Sequence, residues 1–493
     1  MGNIFYYLLS LIKRVFSIDT RSLALFRIAL ALLILFDLSV RARELVAHYT
    51  DLGVLPRTAF IEHYGHFSWW SLHLLSGSLW FQVLLFLIAG IFALFLLVGW
   101  NTRIAMVASW LLLISLQTRN PLVLQGGDIF LRVLAFWAMF LPLGAKWSLD
   151  SLKRPDYFSN KNILSFGSAG LLLQVGFVYF FSALFKSGKE WIPDGSAVYL
   201  ALSIDQFATH FGKWLLMQSS LLPLLTYGVY FFELLGPFFL FVPFWFGPLR
   251  TLFMMGFVVL QAGMGLSLRL GPFPWISGMA MLVFLPSWFW STKVGGKIEN
   301  TFDWIENKFR RPPHLMKNNT EILRKTSKLF IILGNIIAAF FLFYIFLWNV
   351  QTLGNDAVPD KIEIIAQVTR TDQMWNMFSP YPLKDDGWYV IAGTLDNNET
   401  IDLFREGRDV DWDKPEHVAA LYPNERWRKY LMNLWNRDNA VYRKYYVDYL
   451  CRDWNARHEE KVKDVGMYYM LEFTLENYQQ STLEKVLIYH SEC

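Results

Sequence analysis

Apolar residues gather into long runs along this 493-residue chain instead of spreading evenly. A helix that crosses a bilayer needs about 20 mostly apolar residues. Runs of that kind lie near 22–42, 79–100, 104–118, 129–146, 166–186, 222–247, 250–270, 273–291 and 329–350. The pattern predicts about nine spans, the third short and the fourth interrupted by Arg132. Beyond residue 350 the pattern changes. Residues 361–369, 387–394, 466–475 and 483–490 read as strands, and Asp396-Asn397-Asn398 as a turn into the short run Thr400–Phe404. Residues 424–436 and 439–458 carry helical spacing. The predicted fold is a polytopic α-helical membrane protein of about nine spans with a C-terminal α+β soluble domain.

The order of parts follows. Residues 1–21 form an interfacial amphipathic helix, because Lys13 and Arg14 follow the apolar run, the reverse of a secretory signal. Residues 22–291 form the transmembrane domain, 292–328 a basic cytoplasmic loop, 329–350 the last span and 351–493 an extracytoplasmic domain. In the basic loop, which includes Arg310-Arg311-Pro312-Pro313-His314, attraction to anionic lipid accounts for the charge.

Composition sharpens this reading. Apolar residues make up 54% of the chain and charged residues 17%, against about 25% charged in a soluble domain. That excludes a disordered chain, a nucleic-acid binder and an ordinary cytosolic enzyme. The net charge of +4 is a cancellation. Residues 1–350 hold 28 Lys+Arg and 16 Asp+Glu, whereas 351–493 hold 17 and 25. With the N-terminus cytoplasmic, 18 basic residues fall on the cytoplasmic side and 8 on the other, as the positive-inside rule requires. Nine crossings then put the C-terminal domain outside. Both cysteines, Cys451 and Cys493, lie in that domain, either as a bridge or as two thiols. Trp375, Met377 and Phe378 before Ser379-Pro380 read either as an interfacial anchor or as the C-terminal domain's own core.

Ionisable residues inside spans are costly and therefore point to sites. Asp128 and Arg132 are four apart, so they can pair on one helix face. Glu233, just before Pro237, is deep in a span and can pair with Arg27 or with a kinked backbone. Lys186 ends the span FVYFFSALFK, and Tyr179, Ser182, Lys186 and Lys189 are spaced 3, 4 and 3 apart on one polar face. Apolar walls and a second lysine disfavour a charged amine, and a neutral amine is a general base. The alternative is a lysine that snorkels to the interface. His63, His66 and His73 share a face only loosely and lack a carboxylate–His pattern, so no metal site is expected. No phosphate loop, HExxH, GxSxG or internal repeat occurs.

Several stretches together resemble a known family: LFRIALALLILFDL (25–38), YTDLGVLPR (49–57), TRNPLVLQGGDIFLRVLAFWAMFLPLGAKWSLD (118–150), FSALFKSGKEWIPDGSAVYLAL (181–202), FELLGP (232–237) and LGPFPWISGMAMLVFLP (270–286). They are similar to the HTTM (horizontally transferred transmembrane) domain family, bacterial membrane proteins related to vitamin K-dependent gamma-glutamyl carboxylase. The tail stretches MWNMFSPYP, ERWRKYL and YLCRDWN resemble the extension of some bacterial members. In the carboxylase a lysine ahead of a Trp-containing loop deprotonates vitamin K hydroquinone, and the oxygenated quinone then removes a proton from a peptide Glu, to which CO2 adds. By its spacing to Trp191, Lys186 takes that position, which implies a reduced quinone as cofactor or substrate. Two carboxylase histidines have no counterpart: Gly126-Gly127-Asp128 stands at one position and Gln261 at the other. A Gln cannot shuttle a proton. The resemblance therefore implies quinol-linked base chemistry in a bacterial cytoplasmic membrane, with lyase-type Glu carboxylation not carried over.

Three readings stay open. In the first, Lys186 is the base of a carboxylase-like enzyme, Tyr179 and Ser182 orient a lipid-soluble substrate, and Asp128, Arg132, Glu233, Arg27 and Trp191 shape the pocket. In the second, the protein is a non-catalytic module whose C-terminal domain binds a secreted peptide or protein. In the third, Glu233 and the helix breaks serve a small-molecule transporter. In all three the bilayer is the first partner.

Overall fold

A computed structural model of the chain describes residues 2–64, 70–153, 161–309, 321–475 and 481–493, with backbone alone for residues 2–3 and 321–328. Six described helices are long and apolar enough to cross a membrane: Thr20–Ala42, Leu79–Val98, Phe166–Phe185, Leu221–Phe239, Phe246–Ser267 and Leu329–Gln351, the last within a helix that begins at Glu321. The other three predicted spans are shorter or more polar. Thr102–Arg119 buries Ser115, Gln117, Thr118 and Arg119. Gly126–Ala138 has 13 residues, about 20 Å of helix against a hydrocarbon core of about 30 Å. Phe273–Ala280 continues only as a tight turn to Phe284. Length and composition thus support six crossings among the described residues, not nine.

The amphipathic N-terminal helix spans Gly2–Phe16 and leaves Ile4, Phe5, Leu8 and Ile12 exposed. The stretch 292–328 is partly a second amphipathic helix, Lys293–Lys308. Its acidic residues tie it to the membrane helices: Glu299 to Arg21 at 2.7 Å, and Asp303 to Lys146 at 3.1 Å. The expected Arg310–His314 stretch lies outside the described residues.

The C-terminal region builds a five-stranded antiparallel sheet. Its strands are β1 (Asp385–Leu395), β2 (Thr400–Asp402), β3 (Arg408–Asp409), β4 (Val462–Phe473) and β5 (Glu484–Glu492), in the spatial order β3-β2-β1-β4-β5. Asn398 with positive φ makes the predicted turn into β2. Helices Glu425–Trp435 and Arg443–Arg457 pack on the sheet, as their spacing predicts. The stretch 361–369 is a helix, Asp360–Thr369, and not a strand. Ile362, Ile365 and Ala366 fit helical spacing, and Asp360 and Glu363 favour the positive end of the helix dipole. Cys451 and Cys493 are bonded, with 5.7 Å between their Cα atoms.

The sheet region does not stand apart from the membrane helices. Its core residues Trp388, Tyr430 and Leu431 are continuous with Val54, Leu55, Phe60, Leu122 and Val123 from loops between the helices. The strap 371–380 reaches further. Trp375 is completely buried in the core of the membrane helices, 5.7 Å from the Phe130 ring. It is therefore neither an interfacial anchor nor part of the C-terminal domain's own core. Its Nε1 donates to Gln373 Oε1 at 3.0 Å, and Gln373 bonds to Gln174 of helix Phe166–Phe185 at 2.6 Å. The buried amides explain why a polar strap tolerates this depth: each finds a partner inside.

Candidate functional site

Helix Phe166–Phe185 starts on a capping box, Ser165 with Ser168, and stops at Lys186. Because Lys186 is the C-cap, its side chain folds back beside Ser182 one turn earlier. Nζ donates to Ser182 Oγ at 3.0 Å and to Glu233 Oε2 of helix Leu221–Phe239. Both members of the pair are buried, with 3% and 7% of their side chains exposed. The Trp191 ring centroid lies 4.9 Å from Nζ, within cation–π range. This lysine does not snorkel to solvent. Nor is it a lone amine, because Glu233 and Ser182 both hold it. Lys189 lies past the helix end, is half exposed and sits 3.8 Å from Asp194, so it does not share the polar face of Lys186.

The strap roofs this site. Trp191 Nε1 donates to Phe378 O at 3.1 Å, and Gly188 N donates to Pro380 O at 2.9 Å. A Cβ on Gly188 would stand 2.8 Å from Pro380 O, so the approach requires glycine. Two turns below Lys186, Tyr179 is buried with its ring 4.3 Å from Phe257. Its hydroxyl accepts from Gln261 Nε2 at 3.2 Å. The structure thus brings Lys186, Ser182, Glu233 and Trp191 into direct contact, with Tyr179 deeper on the same helix as Ser182 and Gln261 reaching it from helix Phe246–Ser267.

The expected Asp128–Arg132 pair does not form, because each finds partners elsewhere. Asp128 caps helix Gly126–Ala138 by accepting from Gln125 N at 2.8 Å, and it also meets Arg41 and Arg426. Arg132 turns to the strap: Nε donates to Arg370 O at 2.9 Å and Nη2 to Asp372 Oδ2 at 2.9 Å. The expected Arg27–Glu233 pair is likewise not formed. Arg27 donates to the carbonyls of Leu143 (3.2 Å), Lys146 (3.3 Å) and Trp147 (2.5 Å). Those carbonyls are left over where the helix breaks, and an arginine supplies their missing donors.

Sequence reasoning missed a second buried polar centre. Asp37, Arg41, Asp128 and Arg426 form a set of two acids and two bases, with Tyr49 Oη accepting from Arg41 Nη1 at 2.7 Å and Glu425 3.7 Å from Arg426 Nε beside it. A signal was present, since Asp37 and Arg41 are four apart at the end of a predicted span. Arg426, 385 residues further along, carried no signal of its own. Around this centre Glu425 crowds Gly271, whose positive φ and missing Cβ leave room for the carboxylate. His48 is buried there against the Trp427 ring at 4.4 Å, and burial pushes its imidazole down to about 3, so it is neutral.

Among the described residues, His63 and His73 take separate partners. His73 Nδ1 lies 2.6 Å from Gln82 Oε1, His63 packs on Tyr442 at 5.3 Å, and His66 is outside the described residues. One acidic group of metal-binding type occurs among the described residues: Asp205, Asp386 and Glu472. Lys414 already bridges it, 2.7 Å from Asp205 and 2.5 Å from Glu472.

Membrane-length helices, a buried Lys–Glu pair at the end of one of them and a C-terminal sheet region strapped into their core define an integral membrane protein with a built-in C-terminal cover. Residues 16–288 match the HTTM domain, more than half of the chain, and the protein belongs to that family. The family is the one related to gamma-glutamyl carboxylase. No curated protein and no solved structure matches the chain.

Proposed function

We propose that this HTTM-family protein is a membrane enzyme in which Lys186 takes a proton from a lipid-soluble, quinol-like substrate. The observation that carries the reading is the Lys186–Glu233 pair, buried beneath Trp191 and the strap. An ionic pair in such surroundings costs desolvation that well-packed apolar side chains would avoid, so a chemical use for it is the economical account.

The pair has a simple proton balance. Moving one proton from Nζ to Glu233 Oε2 leaves a neutral amine beside a neutral acid, with no net charge change in the apolar site. The amine then accepts the substrate's O–H proton, and the new ammonium faces the substrate anion. Ser182 fixes the lysine rotamer, and Tyr179, held by Gln261, orients the substrate. Gln261 and Asp128, which stand where the carboxylase carries histidines, argue against Glu carboxylation as the outcome. The same reading places the protein in a bacterial cytoplasmic membrane with the C-terminal domain on the outer side, where an oxidising compartment allows the Cys451–Cys493 bond.

The test is turnover. Wild type, Lys186→Ala, Lys186→Arg and Glu233→Gln in nanodiscs receive reduced vitamin K-type quinol, bicarbonate and oxygen, and quinol loss, epoxide and carboxylated peptide are followed by mass spectrometry. The expected result is quinol turnover in the wild type, lost in both lysine variants, without peptide carboxylation. No turnover of any quinol by a well-folded wild type would overturn the enzyme reading in favour of a partner-binding module.

A further inference from the structure

A cavity of about 820 Å³ lies far along the chain from Lys186, between helix Glu425–Trp435 and the β1-β4-β5 side of the sheet. Ile204 and Gln206, from the segment after helix Ala197–Ser203, close part of it. That volume is the size of a small-molecule site. About half of its wall is apolar and aromatic: Tyr389, Tyr469 and Trp435, the last two stacked at 4.2 Å, with Leu471, Met432 and Val486.

The polar groups facing it are unequal in what they have left to offer. Asp385 accepts from Trp435 Nε1 at 2.8 Å. Arg443 spends its donors on the carbonyls of Leu434 (2.9 Å), Ile488 (3.1 Å) and Trp435 (3.2 Å). Lys429 differs. It projects from the helix into the cavity, and its Nζ makes no ion pair or hydrogen bond with any described residue. Burial, with Arg428 next to it, pushes its ammonium below the usual lysine range. Asp128 is the carboxylate that favours its charge, but Arg41 and Arg426 already hold that group, so an anion entering the cavity would relieve the remaining cost of burial. Arg437 adds a further positive charge and Glu484 a negative one, and with Lys429, Arg443 and Asp385 the lining stays net positive.

We infer that this cavity binds a monoanionic amphiphile, its carboxylate on Lys429 and its apolar body against Tyr389, Trp435, Tyr469 and Leu471. A free long-chain carboxylate and the free C-terminus of a short apolar peptide carry this chemistry alike. The site is independent of the Lys186 chemistry, and either proposal stands if the other fails.

Photolabelling tests it. The full-length protein in phosphatidylcholine nanodiscs is irradiated with a diazirine-bearing dodecanoate, and labelled residues are mapped by mass spectrometry. Label is expected on residues 429–437, 469–473 or 484–488. Loss of a charge-assisted hydrogen bond of about 1.5–3 kcal/mol predicts at least about a tenfold drop in label for Lys429→Gln, while Lys429→Arg retains it. The uncharged diazirine alcohol should label no better than that Gln variant. Competition with unlabelled dodecanoate or with trileucine then distinguishes the two sources. Label confined to the membrane helices, or cavity label unchanged by Lys429→Gln, would overturn the proposal.

Discussion

Arg426 grips both oxygens of Asp128, with Nη1 2.5 Å from Oδ2 and Nη2 2.9 Å from Oδ1, although 298 residues separate them. The same guanidinium reaches Asp37 Oδ1 at 2.7 Å. Two carboxylates from the helices of the HTTM region are thus neutralised by one arginine from that region and one from the C-terminal domain.

That balance makes a docking prediction. Arg426→Met leaves Arg41 alone with two buried carboxylates, and breaking a buried pair costs roughly 3–5 kcal/mol. The variant should show a lower melting temperature and new proteolytic cuts in the strap 371–380. Adding Asp37→Asn restores neutrality and should recover more than half of the loss. Equal melting of the single and double variants would show that charge balance is not what holds the domain.

The Lys186–Glu233 pair makes a parallel one. Lys186→Met and Glu233→Leu each leave one buried partner uncompensated, at roughly 3–5 kcal/mol. The double variant removes both charges and should be more stable than either single one, yet inactive. A double-variant cycle on thermal unfolding in nanodiscs measures this, and purely additive losses would mean the two groups do not interact.

Asp386 gives the C-terminal domain a pH dependence. Burial pushes its carboxyl up to about 7, with the Asp205 carboxylate adding to the rise. The folded form then holds a proton that the unfolded form, with an ordinary value near 3.8, releases. Stability from this group is therefore full below about pH 4 and is lost as pH climbs toward 7. Melting of the wild type should fall between about pH 4 and 7 and level off above, and Asp386→Asn should flatten that slope. An unchanged slope in the variant would assign the effect to another group.

The Cys451–Cys493 bond closes a segment with a sequence separation of 42, tying the C-terminal end of β5 to helix Arg443–Arg457. In the chain-entropy model a loop of that length contributes about 4 kcal/mol. Replacing both cysteines by serine should unfold the sheet region at markedly lower temperature and leave the membrane helices intact. Mass spectrometry after alkylation without reductant should find neither thiol modified in the wild type.

Composition and periodicity determine much of this protein by themselves. Bilayer-length apolar runs can be satisfied only as helices, because lipid offers no partner for a backbone N–H or C=O. Short runs rich in aromatic and β-branched residues in 387–394, 466–475 and 483–490 likewise mark strands, where such side chains pack well. The HTTM region was legible from motifs spread over residues 25–286. Lys186 was legible as an ionisable group at a span end. Its partner was not, because Glu233 and Arg27 were equally buried charges, and only the crossing of helices Phe166–Phe185 and Leu221–Phe239 put Glu233 beside it. Asp128 and Arg132 show the converse. Spacing allowed a local pair, but distant partners outcompeted it once Arg426 and the strap arrived. Helix Asp360–Thr369 was hidden by its Ile and Val residues, whose strand preference yields to the packing they find. Burial of Trp375 among membrane helices was invisible for the same reason: local pattern records which residues avoid water, and only the tertiary structure decides which other residues they avoid it with.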